Sequence, residues 1–391
     1  MTTGRAIVVG GGIGGVTAAL CLARTGWSVT VLEQAPAFGE VGAGLQIGPN
    51  ASRVLHDLGL EEPLRAVACL PERVVLRHWR RGRELWQMPL GETAVERYGT
   101  PWYHLHRADL LGVLLAAAEA EPAIELRTNV EVRAAEEAGE EGVVQLRGGE
   151  ARGELVVGAD GLHSTVRASL FGPAEARFTG RVAWRATVPA ERAPDAARAP
   201  GTTVWLGPGR HFVHYPVRRG ALVNCVAVVE REDPGEESWS RRGDPAELAA
   251  EFASWHGDVR GLVDAMDPAT CFQWALFDRD PMPRWRRGRL VLLGDACHPT
   301  LPFLAQGAGM AIEDARVLAN CLGAHEEIDE ALARYELLRR GRTARIQEES
   351  RRNAAVFHYG GLAAWARNRA LRRAGRDRLD WLHGYDPLRV L

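Results

Sequence analysis

The chain has no lysine: its 48 basic residues are all arginine, and with 50 acidic residues the net charge is −2. Because a strongly basic surface is missing, nucleic acid and anionic membranes are not expected as partners. Long apolar runs are also missing, since the early run Ala6–Val9 is far too short for a membrane span and no signal-peptide pattern accompanies it. We therefore expect a cytoplasmic protein whose partner is a small molecule.

The six cysteines form no C-x-x-C pair, and several lie in apolar runs where cysteine behaves as a small hydrophobic residue. Structural disulfides and a metal site are therefore not expected. The 391 residues are 46% hydrophobic and 25% charged, as in soluble globular proteins. The chain is longer than a single core usually grows, so we expect two closely packed domains with room for a buried site.

A βαβ unit begins the chain. Residues 5–9 form a β-rich run, residues 16–25 have helical character, and residues 28–32 form a second strand that ends at Glu33. Between the first strand and the helix, Gly10–Gly15 matches G-x-G-x-x-G. Such a turn lets a pyrophosphate approach backbone N–H groups at a helix N-terminus, and a carboxylate after the second strand suits ribose hydroxyls. The unit predicts FAD or NAD binding; a glycine-rich turn without a ligand is the alternative.

The remaining pattern indicates an α/β protein interrupted by a second sheet. Helices are expected at 49–58 and 109–120, and short strands at 125–126, 130–132, 141–146 and 154–157. Alternating Trp- and Val-rich runs predict an antiparallel sheet with strands at 182–188, 202–206, 212–217 and 221–229. Residues 233–244 are polar and predict a surface loop. A buried strand at 290–293, a helix at 307–322 and an Arg-rich helical segment after Glu330 complete the chain.

We accordingly predict a Rossmann-type domain from residues 1–177 and 277–330, an inserted antiparallel β-sheet domain for the substrate at 178–276, and a C-terminal helical segment at 331–391. Two further motifs, Gly158–Arg167 (GADGLHSTVR) and Gly294–Pro299 (GDACHP), follow β runs far apart in the chain. With these motifs the sequence resembles, nearly end to end, the class A FAD-dependent aromatic hydroxylases. That family includes the p-hydroxybenzoate, 3-hydroxybenzoate, 6-hydroxynicotinate and salicylate hydroxylases.

The resemblance implies that the Rossmann-type domain binds FAD and that the protein is a monooxygenase. It would use NADH or NADPH and dioxygen to hydroxylate a small phenolic acid of salicylate or hydroxybenzoate type. Three alternatives stay open: a decarboxylating hydroxylase similar to 6-hydroxynicotinate 3-monooxygenase, a tailoring oxygenase for natural products, and a non-catalytic FAD redox sensor. A flavin-dependent halogenase needs a catalytic lysine, which this chain does not contain.

The resemblance also implies which residues hold FAD. Asp295 corresponds to the family aspartate at the ribityl and pyrophosphate groups, and the helix that opens at Gln306 directs its positive end toward the flavin. Arg107 would contact FAD, with an ordinary helix-start salt bridge as the alternative, and Asp160 would support both FAD and the nicotinamide. The expected cofactor residues are Gly10, Gly12, Ile13, Gly14, Gly15, Glu33, Gly44, Leu45, Arg107, Val130, Asp160, Asp295, Pro299, Gly307, Ala308 and Gly309. A glycine loop at 42–44 would let the flavin ring move.

Strand alternation places His211, Val213 and Tyr215 on one face of the inserted sheet and His214 on the other. A histidine suits the deprotonation of a phenol, and in the family the matching positions contact or deprotonate the substrate, so His211 and Tyr215 are the expected catalytic pair. The alternative is a hydrogen-bonded turn histidine and a core tyrosine. Proline at 302, where 3-hydroxybenzoate 6-hydroxylases tend to carry glutamine, disfavours that substrate.

Two arginine-containing patterns have structural explanations. Trp184 with Arg185 is more often a packing pair with a salt bridge than a carboxylate site. The stripe of Arg339, Arg340, Arg342 and Arg345 is interleaved with glutamates, which predicts a solvated helix face or a dimer contact rather than a nucleic-acid patch.

Overall fold

The computed structural model describes residues 4–39, 43–173, 175–233, 242–375 and 377–391. The helices are α1 (Ile13–Arg24), α2 (Pro49–Asp57), α3 (Glu61–Val67), α4 (Glu92–Tyr98), α5 (Arg107–Glu119), α6 (Thr165–Phe171), α7 (Pro245–Phe252), α8 (Gly257–Asp264), α9 (Gly307–Ala324), α10 (Ile328–Phe357), α11 (Gly361–Leu371) and α12 (Asp380–His383).

The strands are β1 (Gly4–Val9), β2 (Trp27–Leu32), β3 (Gly44–Ile47), β4 (Arg73–His78), β5 (Glu84–Pro89), β6 (Tyr103–His106), β7 (Ile124–Arg127), β8 (Val132–Ala138), β9 (Glu141–Leu146), β10 (Gly149–Gly153), β11 (Leu155–Gly158), β12 (Arg177–Pro189), β13 (Gly201–Gly207), β14 (Arg210–Val217), β15 (Leu222–Glu230), β16 (Phe272–Asp278), β17 (Arg286–Arg287) and β18 (Leu290–Leu292).

The first sheet is a Rossmann-type parallel sheet with strand order β17-β18-β11-β1-β2-β7, in which only the short edge strand β17 is antiparallel. Its central strands are continuous apolar runs because helices cover both faces. The strands predicted at 5–9, 28–32 and 290–293 are confirmed within this sheet. The strand predicted at 130–132 is wrong: β8 begins at Val132, and Val130 instead donates its N–H to the carbonyl of Glu33 at 2.9 Å.

The second sheet has seven strands in the order β16-β12-β15-β14-β13-β4-β5, and the four strands predicted between 182 and 229 are confirmed as its centre. The hairpin of β4 and β5 extends it, with β4 parallel to β13. Residues 73–89, which the predicted boundary places in the Rossmann-type part, thus belong to the second sheet. Of the loop predicted at 233–244, residues 234–241 lie outside the described residues.

The C-terminal helices pack over both sheets. The predicted solvated stripe on α10 is wrong for Arg339, which is fully buried and contacts the equally buried Glu313 and Asp314 through its Nη1 and Nε atoms at 2.7 and 2.6 Å. Arg342 is also largely buried and donates to Glu313. The alternation of arginine and glutamate in α10 predicted solvent exposure, but the carboxylates that pair with Arg339 lie on a different helix, α9. Among the described helices, none is long and apolar enough to cross a membrane.

Candidate active site

The glycine turn joins β1 to α1 with almost no space for side chains. Gly10 has φ of +107°, and a Cβ at this residue would lie 2.4 Å from the carbonyl oxygen of Ala159. A Cβ at Gly15 would lie 2.0 Å from the carbonyl oxygen of Gly10, so the helix can start only if both residues lack side chains. Gly12 is extended and precedes α1, whose first residue Ile13 is buried. The turn therefore leaves the helix N-terminus open to an anion.

Glu33 follows β2 beside this turn. Its two carboxylate oxygens each accept a 2.8 Å hydrogen bond, one from the N–H of Gly11 and one from the N–H of Ala35. The carboxylate is thereby fixed at the carboxyl edge of the sheet, where a bound ribose can reach it. Val130 is held next to it through the backbone bond to Glu33 described above, so the structure brings these two predicted residues together.

Asp295 lies at the carboxyl end of β18. Its side chain is exposed although its neighbours Gly294 and Ala296–Pro299 are buried, so the carboxylate opens into a cleft in the protein interior. Surrounding protein atoms raise the pKa of Asp295, while the charges of His298 and Arg107 oppose this rise. Arg107 begins α5, so the structure places both predicted cofactor residues around the same cleft.

The start of α9 borders the same cleft. A Cβ at Gly14 would lie 3.1 Å from Cβ of Ala311, which brings the N-terminal parts of α1 and α9 together. Gly307 and Ala308 are half-buried in the first turn of α9, whereas Gly309 is buried beside Gln306. The helix has no acidic residue in its first turn, so its positive end is available to a developing negative charge. Pro299 is buried, and its carbonyl accepts from Gln347 at 2.8 Å.

Gly44, the first residue of β3, lies against Asn224 and Tyr215 of the second sheet. The N–H of Gly44 donates to Oδ1 of Asn224 at 2.6 Å. A Cβ at Gly44 would lie 2.8 Å from both the Asn224 side chain and the Tyr215 ring. Leu45 pairs with Leu105 in the small β3–β6 sheet. Gly42 of the proposed mobile loop lies outside the described residues. The loop is therefore fixed at Gly44 by an asparagine that no sequence motif indicates.

Asp160 lies beside the glycine turn, but its carboxylate is engaged locally. It accepts from Oγ of Ser164 at 2.5 Å and from the N–H of Val166 at 3.1 Å, which stabilises the start of α6. Burial raises the pKa of Asp160, and these hydrogen bonds oppose the rise. In the structure Asp160 orders the loop beside the glycine turn, and its support of FAD and of the approach of the nicotinamide stays a prediction.

A cavity of about 400 Å³ lies between the second sheet and the C-terminal helices. Its wall is largely apolar and aromatic, and it includes Gln46 after the Gly44 loop and Gln306 at the start of α9. Gln306 directly precedes α9, so the cavity reaches the start of this helix. Among the described lining residues His211 and Val213 are present and Tyr215 is not. Tyr215 instead packs beneath Gly44 and against the ring of His104 at 4.7 Å, so its contact with substrate stays a prediction.

His211 begins a chain of three polar side chains. Its Nδ1 lies 2.8 Å from Nε2 of His358, whose Nδ1 lies 3.0 Å from Oε1 of Glu230. Since a carboxylate only accepts, His358 Nδ1 carries a proton, His358 Nε2 accepts, and His211 Nδ1 donates. Nε2 of His211 then has a free lone pair, and none of the described residues hydrogen-bonds it. Burial, together with the charges of His358 and Arg181, holds the pKa of His211 well below its usual value, which keeps the ring neutral.

No motif of the sequence indicates His358 or Glu230. His358 ends α10 in the Arg-rich segment that was read only as helical, and Glu230 ends β15. The alternation of β14 is confirmed, because His214 faces away from the cavity, near the Trp205 ring. The salt bridge expected for Arg185 is not found among the described residues; its guanidinium instead lies 4.7 Å from the centroid of the Trp274 ring.

Cys297, His298 and Asp314 form a buried cluster behind the cleft whose potential ligand atoms lie within 4.8 Å of one another. Asp314 is already engaged there, because it contacts His298 Nε2 at 2.5 Å and Arg339 Nε at 2.6 Å. Burial raises the pKa of Asp314, but His298 and Arg339 outweigh this effect and hold it at about 2. The cluster is therefore a hydrogen-bonded network around Asp314 that fixes the segment after Asp295.

Together, the fold and the site define a dinucleotide-dependent oxidoreductase, in which a Rossmann-type cleft is accompanied by an apolar cavity with the neutral His211 in its wall. The residues fit FAD, because the glycine turn leaves the N-terminus of α1 open as a nucleotide cradle, and the parallel strands β1, β11 and β18 place this turn and the accessible Asp295 at the same edge of the sheet. The profile of the FAD binding domain family matches residues 4–350. The chain belongs to this family.

Similar proteins extend this assignment to aromatic-ring monooxygenases. The chain is 42% identical over 392 residues to 3-amino-4-hydroxybenzoate 2-monooxygenase from Streptomyces platensis, covering 99% of this chain and 97% of that protein. It is 37% identical to 3-hydroxybenzoate 6-hydroxylase from Polaromonas naphthalenivorans, covering 97% and 96%. The crystal structure of Klebsiella pneumoniae HpxO complexed with FAD and uric acid matches with a TM-score of 0.85 at 28% identity, covering 96% and 94%. The protein is thus an FAD-dependent aromatic hydroxylase, as the sequence resemblance implied, with NAD(P)H as the reductant.

Proposed function

We propose that this enzyme hydroxylates a single-ring phenolic acid and that His211 is the base that accepts the phenol proton. The supporting observation is the hydrogen-bonded chain from His211 through His358 to Glu230, which leaves Nε2 of His211 as an acceptor at the cavity wall. The cavity volume of about 400 Å³ lies at the small end of ligand pockets, which span roughly 300–1,000 Å³, and this favours a small ring.

Reduced FAD, when bound, supplies oxygen activated from dioxygen. The protein supplies position, a base and an apolar environment. Transfer of the phenol proton to Nε2 of His211 makes the substrate a phenolate, whose ring is more electron-rich and therefore more reactive toward an electrophilic oxygen. The rings of Phe303 and Phe357 lie 5.2 and 5.4 Å from the His211 ring and limit access of water to this base.

The same chain provides a route for the proton to leave. When Nε2 of His211 gains a proton, Nδ1 can pass its own proton to Nε2 of His358, and Nδ1 of His358 can pass one to Glu230. The side chain of Glu230 is 46% exposed, so the proton reaches solvent without water entering the cavity. Each step transfers one proton along an existing hydrogen bond. The substrate becomes a phenolate, Glu230 is neutralised until it releases the proton to solvent, and both histidines end neutral in the opposite tautomer.

The substrate is tested with a panel of 3-amino-4-hydroxybenzoate, 3-hydroxybenzoate, salicylate and 6-hydroxynicotinate. NADH or NADPH consumption is measured together with product identity, because uncoupled oxidation also consumes the nicotinamide. We expect coupled hydroxylation of at least one hydroxybenzoate. Release of CO2 with 6-hydroxynicotinate would favour the decarboxylating alternative, and no coupled product from any ring would contradict the proposal. A cytoplasmic location and a homodimer are further parts of the proposal.

A further inference from the structure

The substrate cavity contains one buried arginine. Four arginines line it, and Arg345, Arg352 and Arg378 are exposed, whereas Arg367 of α11 is only 6% exposed. A guanidinium keeps its charge even when it is buried, so its surroundings must supply either a counter-ion or a ligand that carries one.

Arg367 has no counter-ion among the described residues. Nη1 donates to the carbonyl oxygens of Val356 and Phe357 at 2.9 and 3.0 Å, and Nε donates to Oδ1 of Asn368 at 3.1 Å. All three acceptors are neutral, and none of the described residues accepts from Nη2. Burial alone lowers the pKa of Arg367 to about 10. Arg339 is a useful contrast, because it is also buried but contacts two carboxylates.

The position of Arg367 relative to His211 is set by Phe357. The Phe357 ring lies 5.4 Å from the His211 ring, and the carbonyl of the same residue accepts from Arg367. A base for the phenol and a fixed cation therefore share one cavity, and apolar residues such as Leu206 and Val213 form the wall around them. A hydroxylated aromatic carboxylate carries the two groups that these side chains would bind.

We propose that Arg367 binds the carboxylate of the substrate and thereby makes the enzyme selective for aromatic acids. This inference rests on the proposed function, since it assumes that the phenol end of the ring lies at His211. A carboxylate would accept charge-assisted hydrogen bonds from the guanidinium. Analogues without a carboxylate are rejected, because they leave the buried charge of Arg367 unpaired.

The inference is tested on the FAD-loaded enzyme by titrating benzoate and benzamide and following the absorbance of the bound flavin. Wild type should bind benzoate at least about tenfold more tightly than benzamide. Arg367→Gln retains a donor for the backbone carbonyls but removes the charge, so the affinity for benzoate should fall about 10- to 100-fold while that for benzamide changes little. Arg369→Gln is the matched control on the exposed side of the same helix and should behave as wild type.

The outcomes separate the subsite from the reaction. Equal affinity of wild type for benzoate and benzamide would overturn the subsite, even if Arg367→Gln could not be purified. An unchanged benzoate affinity in Arg367→Gln would also overturn it, and the hydroxylation proposal would still stand if the wild type turned over hydroxybenzoates. Conversely, a benzoate affinity that depends on Arg367, in a wild type that hydroxylates no acid of the panel, would support the subsite and contradict the proposed function.

Discussion

Gly15 faces Gly10 across the first turn so closely that a Cβ on Gly15 would lie 2.0 Å from the carbonyl oxygen of Gly10. The contact is with backbone, which cannot rotate away as a flexible side chain would. Gly15→Ala should therefore displace the turn and abolish FAD binding. The measurement is the ratio of flavin to protein absorbance after purification.

Gly112→Ala is the matched control for this change. Gly112 also lies within a helix, but no atom would lie within 4 Å of a Cβ there. This variant should keep a full complement of FAD and gain about 0.5–1 kcal/mol of stability, since alanine loses less backbone entropy than glycine in a helix. If Gly15→Ala retained the flavin as Gly112→Ala does, the nucleotide cradle described above would be wrong.

His211→Ala should retain FAD and lose hydroxylation by about 10²- to 10⁴-fold at neutral pH, the usual contribution of a general base. The loss should shrink as pH rises, because a phenol ionises by itself near its pKa of about 10. Initial rates of hydroxylated product between pH 7 and 9.5 measure this. Val213→Ala removes a neighbour on the same face of β14 and should show no such recovery with pH.

His358→Phe tests how the base is held. It keeps a ring but removes the acceptor of the His211 Nδ1 proton, so the tautomer with a free Nε2 is no longer favoured. We expect an approximately tenfold lower kcat with unchanged FAD content, and the difference from wild type should again shrink as pH rises, because a phenol that ionises by itself no longer needs the base. Tyr359→Phe, at the exposed neighbouring residue, is the control. A His358→Phe enzyme with wild-type kcat would remove His358 from the proposed proton route.

The sequence predicted those parts of the fold and site that depend on local spacing. The glycine turn, the strand ending at Glu33 and the alternation of β14 each follow from patterns within about ten residues. The hairpin of β4 and β5 was not assigned to the second sheet, because its pairing with β13 joins segments more than 100 residues apart. Sequence periodicity contains no information on such a partner.

The same reason explains the functional residues that the sequence did not reveal. Glu230 and His358 are 128 residues apart, and neither stands in a recognisable motif. Arg367 occurs in an arginine-rich segment, where its charge is one among many and only burial distinguishes it. Arg339 was misread because its helix has neighbouring glutamates, whereas its actual partners lie on α9. In each case the decisive property is the burial of the side chain and the identity of its neighbours, and local sequence spacing gives neither.

Arg339→Met should strongly destabilise the protein. It leaves the carboxylates of Glu313 and Asp314 buried with fewer counter-charges, and breaking a buried ion pair in this way costs about 3–5 kcal/mol. Urea unfolding followed by tryptophan fluorescence measures the change. Arg340→Met, on the exposed side of the same helix, should change the unfolding free energy by less than about 1 kcal/mol. Similar effects of the two variants would contradict the buried network.

Stability should fall as pH decreases from about 6.5 toward 4. Several buried histidines are responsible: burial lowers the pKa of His104 and His383 to about 3 and that of His214 and His358 to about 4. In this window the unfolded chain binds protons at these residues and the folded chain does not, so each proton excluded from the folded state costs about 1.4 kcal/mol per pH unit. Asp314, with a pKa of about 2, titrates below the window.

The measurement is urea unfolding of the FAD-loaded enzyme at pH 7.5, 6.5 and 5.5. The slope of the unfolding free energy against pH should steepen toward acid, and His383→Gln should reduce that slope by about one proton. His163→Gln replaces an exposed histidine and is the control. A flat stability between pH 6.5 and 5.5 would mean that these histidines are protonated in the folded protein.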